Sequence, residues 1–131
     1  MELKRFLLVL TSTDDQSILP AAVELCKAAG GKLFAMFVIE PDQVSRSAVL
    51  AGQDVNVLRD ATEEEGWKLL YLVEDDAVEN GVWTSLHLME GDPLKLTMRH
   101  VETYQIDALL IKKKDESMGM FVSSSVPVIG L

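Results

Sequence analysis

The sequence predicts an α/β fold: one domain over residues 1–131, built on an open, mostly parallel five-stranded sheet with helices on both faces. Three observations lead to this class. Five short apolar runs occur along the chain, helical patterns separate most of them, and several runs are continuously apolar, as in strands covered on both faces. The strands are predicted near residues 4–11, 33–39, 82–89, 107–112 and 126–130.

The first crossover predicts a capped helix. Asp14, Asp15 and Ser17 follow the first strand and supply capping oxygens and negative charge, which the helix dipole favours at an N-terminus. Pro20 has to lie in the first turn, since an interior proline breaks a helix. Gly30-Gly31 ends the helix before the second strand.

The middle of the chain is less regular. Residues 43–60 suggest a helical turn or two, and a long helix is predicted over residues 62–79. Gly66 weakens the start of that helix, because glycine has a low helix propensity. Residues 90–93 start the next helix, and the final crossover over residues 112–125 is near the minimum length for joining parallel strands.

The composition excludes several classes of partner. The 131 residues carry 12 basic and 21 acidic side chains, for a net charge of −9. Such a surface repels nucleic acid and anionic membranes, so neither is an expected partner. No apolar run has the length of a signal peptide or a membrane span, and the single cysteine, Cys26, fits a reducing compartment. We therefore expect a cytoplasmic protein.

No constellation of catalytic or metal-binding residues is visible in the sequence. His87 and His100 lie on different predicted elements, without cysteines or carboxylates at metal-ligand spacing. Cys26 lies on the apolar stripe of the first helix, which indicates a core residue. The P-loop, the G-x-G-x-x-G fingerprint and the G-x-S-x-G elbow are absent. The sequence thus predicts a protein that is not an enzyme and binds no metal.

Four segments resemble the universal stress protein family. They are LLVLTSTDDQS at residues 7–17, LFAMFVIEP at 33–41, EGDP at 90–93, and IDALLIKKK at 106–114 leading to VPVIGL. The most specific combination is EGDP followed by a helix and an Ile-Asp-apolar strand. The resemblance implies an adenine-nucleotide-hydrolase-like fold and a stress-response function. In the family that the sequence resembles, many members are dimers, and one subgroup binds ATP or AMP.

The glycine-rich loop of the nucleotide-binding subgroup is replaced in this sequence. That loop follows the fourth strand, and its glycines let backbone N–H groups approach the phosphates. When the sequences are aligned on Asp107, its three glycines fall at Lys112, Asp115 and Ser125. The family's adenine-contacting aspartate falls at Ser12. The resemblance therefore predicts the fold, whereas these departures from the family's motif argue against ATP binding.

The polar residues at these positions leave an alternative open. If nucleotide binds, the ATP or AMP would contact Ser12, the backbone near Val38, Lys112, Lys113 and Ser124. The competing interpretation is a solvated lysine cluster that offsets local acidity, with a polar turn of serines before the last strand. A third hypothesis, an enzyme of a related adenine-nucleotide-handling fold, lacks a visible acid, base or nucleophile.

The last apolar run predicts how the protein assembles. Val126–Leu131 is an apolar strand edge at the end of the sequence, and such an edge needs a partner or a cover. In the family that the sequence resembles, the last strand often pairs with its copy in a second subunit. We expect a homodimer through Val126–Leu131, or association with another protein. The predicted function is a non-catalytic regulatory or stress-response domain that acts in this way, without a cofactor.

Overall fold

A computed structural model describes residues 2–114 and 118–131, apart from the side chain of Met118. The strands are β1 (Arg5–Leu10), β2 (Lys32–Ile39), β3 (Thr84–Glu90), β4 (Ala108–Ile111) and β5 (Val128–Gly130). They form one parallel sheet in the order β3-β2-β1-β4-β5. The predicted fold class and the five predicted strands are confirmed. The main differences are that β3 and β5 begin about two residues later than predicted.

Helices connect the strands on both faces of the sheet. A 3-10 helix (Thr13–Ile18) precedes α1 (Leu19–Ala29), and the later helices are α2 (Pro41–Ala51), α3 (Val55–Glu79), α4 (Pro93–Tyr104) and α5 (Met118–Ser123). The first three α-helices cover one face, and α4 and α5 cover the other. None of the helices in the described part of the chain is long and apolar enough to cross a membrane.

The core is divided by the sheet into two apolar clusters. Successive side chains of a strand point to opposite faces, and β1 follows this rule: Phe6 and Leu8 enter the cluster under α1 and α3, whereas Leu7 and Val9 enter the cluster under α4. All four side chains are buried. The continuous apolar run predicted a strand with both faces covered, and this is confirmed.

The first crossover follows its prediction only in part, because Asp14 and Asp15 lie in the first turn of a separate 3-10 helix and the N-cap of α1, Ile18, makes no side-chain hydrogen bond. Ser12 is the N-cap of the 3-10 helix, and Pro20 lies in the first turn of α1. Gly30 ends α1 in the left-handed conformation with φ 65°, which glycine adopts without steric cost. Cys26 is fully buried in α1, and burial raises the pKa of its thiol to about 11. The thiol is therefore protonated at neutral pH, as expected of a core residue.

The predicted start of the long helix is wrong, because α3 begins seven residues earlier, at Val55. Asp54 caps it: its Oδ1 accepts hydrogen bonds from the N–H groups of Asn56 (2.8 Å) and Val57 (3.3 Å). Gly66 lies in the middle of the helix, where an added Cβ would meet Phe37 Cδ1 at 2.6 Å. The glycine lets α3 lie close to β2, so it serves packing and does not mark a helix end.

Two short motifs fix the chain at opposite ends of the strands. In EGDP, Gly91 has φ 149°, its N–H donates to the Ile39 carbonyl (2.9 Å), and Pro93 opens α4. At the other end, Asp107 Oδ2 accepts hydrogen bonds from the N–H groups of Lys4 and Arg5, both at 2.9 Å. These contacts explain why an aspartate precedes the apolar strand β4.

A cluster of aromatic rings lies under α4. The rings of His87 and His100 have centroids 5.2 Å apart, and Tyr104 lies within about the same distance of both. His100 Nδ1 lies 3.1 Å from the Leu96 carbonyl oxygen. Desolvation lowers the pKa of both histidines, and the charge of Arg99 further lowers that of His100. In the described part of the chain, no group of three or more ligating side chains could hold a metal ion.

Acid is expected to weaken the fold through these two histidines. Their pKa values are lowered in the folded protein, so unfolded histidines take up protons near pH 6.5 that the folded protein excludes. The free energy of unfolding is then full above about pH 7 and falls on acidification, by at most about 1.4 kcal/mol per pH unit for each histidine. Urea unfolding at pH 7.5 and 5.5 measures this, and His100→Leu should reduce the loss. An equal loss in the variant would contradict the assignment.

Candidate functional site

Three clefts open at the carboxyl ends of the strands, one of about 420 Å³ beside Arg46 and Asp92 and two that adjoin at Ser12. The larger of the two adjoining clefts, which we call the switch-point cleft, has a volume of about 350 Å³ and lies at the ends of β1 and β4. Chain connections run in opposite directions from these two adjacent strands, and ligands of open α/β sheets bind at such points. The charged groups that line this cleft are Asp14, Asp15, Glu40, Lys112 and Lys114.

The smaller cleft lies beneath α2 and has a volume of about 190 Å³. It shares Ser12 and Glu40 with the switch-point cleft, so the two form one continuous depression. Val38 lines it at the end of β2, and α2 contributes Gln43 and Ser47. The structure thus brings the predicted residues Ser12 and Val38 together at the same cleft.

An ion pair between a buried carboxylate and a partly exposed lysine lines the switch-point cleft. Asp15 is only 1% exposed, and its Oδ1 accepts a hydrogen bond from Lys114 Nζ at 2.8 Å. Its Oδ2 accepts from the N–H groups of Thr11 (2.8 Å) and Ser12 (3.2 Å). A buried carboxylate is tolerated when it is paired and hydrogen-bonded in this way. Asp15 is therefore a capping residue, as predicted, and it also engages the third lysine of the run.

Two further predicted site residues are held by contacts to the 3-10 helix. Ser12 Oγ accepts a hydrogen bond from the Asp14 N–H at 3.2 Å, which is an N-cap interaction. Lys112 Nζ donates to the Asp14 carbonyl oxygen at 2.8 Å. The cleft is thus bridged by Lys112 and Lys114, both of which run from the end of β4 to the turn after β1. Lys114 offsets the charge of Asp15, as the competing interpretation of the lysine run expects, and both lysines also contact the turn after β1.

Lys113 and Ser124 lie away from the clefts. Lys113 is exposed on the other side of the strand end, where its side chain lies beside Gly130. The Ser124 hydroxyl donates to the Val126 carbonyl (2.7 Å) and accepts from the Val126 N–H (3.1 Å), which makes a local turn. Neither side chain lines either cleft. Asp115, at the second glycine position of the nucleotide-binding loop, lies outside the described residues.

Several lining residues were missed by the sequence analysis. Glu40 precedes α2, and Gln43 and Ser47 lie on it, in a segment that showed only a weak helical pattern. A signal was present: Pro41 fits the first position of a helix, and Val44 and Ala48 are spaced to bury one face. Because those two residues face the core, the polar residues on the rest of the helix face either solvent or a neighbouring cleft.

The fold is shared with solved universal stress proteins. A universal stress protein family member from Burkholderia pseudomallei aligns with a TM-score of 0.79 at 21% identity, over 100% of this chain and 98% of that one. The Archaeoglobus fulgidus protein in complex with dAMP gives 0.71 at 14% identity, over 99% and 98%. An Arabidopsis thaliana family protein with AMP bound gives 0.67 at 13% identity, over 98% and 90%.

These similarities define the class of fold. The chain is an α/β protein with the universal stress protein, adenine-nucleotide-hydrolase-like fold over its whole length. No known family profile matches the sequence, and no curated protein matches it. The resemblance deduced from EGDP and the Ile-Asp-apolar strand therefore points to the correct fold, although sequence identity to the solved structures is low.

Removing Lys114 is expected to destabilise the protein. The variant Lys114→Met leaves Asp15 buried without its cation, because the two N–H groups alone remain to compensate the charge. We expect a loss of about 1–3 kcal/mol in the free energy of unfolding, measured with urea at pH 7. The neighbouring exposed residue provides the matched control: Lys113→Met should change the free energy by less than about 0.5 kcal/mol. Equal effects of the two substitutions would contradict a structural role for the ion pair.

Proposed function

We propose that this protein is a universal-stress-protein-like regulatory domain that acts through dimerisation or protein association, without catalysis and without binding ATP or AMP. Its similarity to solved universal stress proteins over the whole chain supports the class. A role in the cytoplasmic stress response follows from the same likeness as part of the proposal. The charge of the switch-point cleft carries the argument against nucleotide binding.

The switch-point cleft is a poor site for phosphate. Three carboxylates, from Asp14, Asp15 and Glu40, line it together with two lysine side chains. The balance is negative, and both lysines already donate to oxygens of the turn after β1. A polyphosphate would have to displace Lys114 from Asp15 and would leave that carboxylate buried and unpaired. Such a group is costly to leave without its partner.

The sequence also lacks the glycines of a phosphate-binding loop at the expected positions. In this fold a glycine loop can present oriented N–H groups, which bind phosphate more specifically than flexible side chains do. Lys112 and Ser125 occupy two of the corresponding positions. A short helix, α5, lies within the last crossover. These departures support the proposal that the fold is kept while nucleotide binding is lost.

An adenine-nucleotide-binding regulator is the second candidate. The smaller cleft favours this candidate, because Ser12 and Val38, which line it, place a hydroxyl beside strand backbone. Relatives of the same fold were solved with dAMP and AMP bound. In this candidate, Ser12, Val38 and Lys112 contact the nucleotide. Lys113 and Ser124, which lie away from the clefts, would have to move to take part.

Calorimetric titration with Mg-ATP and with AMP distinguishes the two candidates. We expect no saturable binding at micromolar nucleotide, because the carboxylates repel phosphate. The variant Asp14→Asn/Glu40→Gln should improve AMP affinity, by up to about tenfold for each charge removed, since it leaves both lysines in place. Glu24→Gln, an exposed change on α1, is the charge-matched control for one substitution. A micromolar dissociation constant for the original protein would establish the nucleotide-binding candidate instead.

The sheet edge at β5 supports the dimer part of the proposal. In the described structure β5 pairs only with β4, so its outer backbone edge is available. Phe121 and Val122 of α5 are exposed, and Phe121 packs close to Gly130 of the strand. The predicted segment Val126–Leu131 thus combines an unpaired edge with an adjacent apolar surface. A second copy would cover both through a symmetric contact.

A charge placed at this edge should dissociate the dimer. The variant Val122→Glu introduces a carboxylate into the proposed contact, where Val122 is 78% exposed in the single chain. Light scattering coupled to gel filtration should give twice the chain mass for the original protein and the monomer mass for the variant. Val49→Glu, at an 81% exposed position on α2, is the matched control and should remain dimeric. A monomeric original protein at micromolar concentration would refute the dimer.

A further inference from the structure

The outer side of α3 carries a stacked pair of aromatic rings. Trp67 and Tyr71 are one helical turn apart, and their rings stack with centroids 5.7 Å apart and planes inclined by 27°. Trp67 is half-buried and packs against the core, whereas Tyr71 is 53% exposed. Val78, two turns further along the same side, is 69% exposed. In the described structure, these three side chains form an apolar stripe that is open to solvent.

Carboxylates border this stripe. Glu74 and Asp75 lie between Tyr71 and Val78 in sequence, and both are exposed. None of the ion pairs among the described residues includes either one. We call the five residues Trp67, Tyr71, Glu74, Asp75 and Val78 the acidic aromatic face.

The charge of α3 extends beyond this face. The helix carries eight acidic and two basic side chains, a net charge of −6 within a chain total of −9. Its two basic residues are both paired: Arg59 contacts Glu63 and Glu90, and Lys68 contacts Glu64. The helix therefore carries a net negative charge. Its two cations offset that charge around Arg59 and Lys68, and none lies in the part of the helix that follows. The field of this charge attracts basic partners and repels acidic ones.

We propose that the acidic aromatic face docks a basic, amphipathic segment of a partner protein. Lysine or arginine side chains of that segment would pair with Glu74 and Asp75, and a cation would lie on the exposed Tyr71 ring. Apolar side chains at helical spacing would cover Val78 and the Trp67 edge. A second copy of this chain does not fit, because two faces of the same negative charge repel one another.

This inference rests on the protein-association part of the proposed function and names the chemistry of the partner. It uses a surface separate from the β5 edge, so the two contacts can be tested independently. Dimer mass and nucleotide titration report on the proposed function, whereas peptide binding reports on α3 alone. A failed peptide experiment would leave those two measurements unchanged.

The test uses a synthetic 20-residue peptide that repeats lysine and leucine at amphipathic helical spacing. In the variant Trp83→Phe, Trp67 is the single tryptophan, so its fluorescence reports directly on the face. We expect saturable binding that weakens with added salt and shifts the Trp67 emission. A peptide of the same charge with serine in place of leucine should bind at least about fivefold more weakly.

Matched substitutions locate the contact. Glu74→Lys/Asp75→Lys should weaken peptide binding by at least about tenfold, and Tyr71→Ala by about fivefold. Glu102→Lys, an exposed reversal on α4 at the opposite face of the sheet, should have little effect, as should Leu50→Ala at the exposed end of α2. The proposal is overturned if the amphipathic peptide does not bind, if the serine peptide binds equally well, or if Glu102→Lys weakens binding as much as the reversal on α3.

Discussion

The rest of the structure depends on the burial of β1. Its backbone is bonded to β2 on one side and β4 on the other, and its side chains enter both apolar clusters. Both faces of this strand are covered by apolar side chains. Polar side chains that could contact a ligand therefore occur only after the strand ends. Thr11 and Ser12 are the first such residues. Because β2 and β4 run parallel to β1, the residues that follow them, Glu40 and Lys112, lie at the same carboxyl end of the sheet.

The polar contacts at that edge compete with a ligand for the same groups. Asp15 takes two backbone N–H groups and the Lys114 ammonium, and Lys112 reaches the Asp14 carbonyl. These bonds compensate a carboxylate that would otherwise be buried without a partner. They also use the cationic groups that phosphate would require. The interactions that stabilise the turn after β1 thus support the proposal that this cleft takes no nucleotide.

The surfaces proposed for association lie on different elements and have different chemistry. At β5, the unpaired strand edge and exposed Val122 form a mainly apolar surface, with Lys113 beside Gly130, and apolar contact suits identical chains. Along α3, Tyr71 lies beside exposed carboxylates, which suits a basic partner. A protein with both surfaces could hold its partner while remaining dimeric. This arrangement fits a regulatory domain that works by bringing chains together.

The sequence by itself determined the strands, the proline near the start and the glycine at the end of α1, and the class of fold. Continuous apolar runs such as Leu33–Ile39 specify buried strands, and Pro20 and Gly30 mark helix positions through local sterics. Only the tertiary structure decided which polar groups meet. His87 and His100 lie on different elements, β3 and α4, but their rings are in contact, and Lys114 reaches Asp15 across 99 residues. It also decided that position 66 of the long helix needs a glycine, because the approach of Phe37 depends on packing between elements and not on local preference.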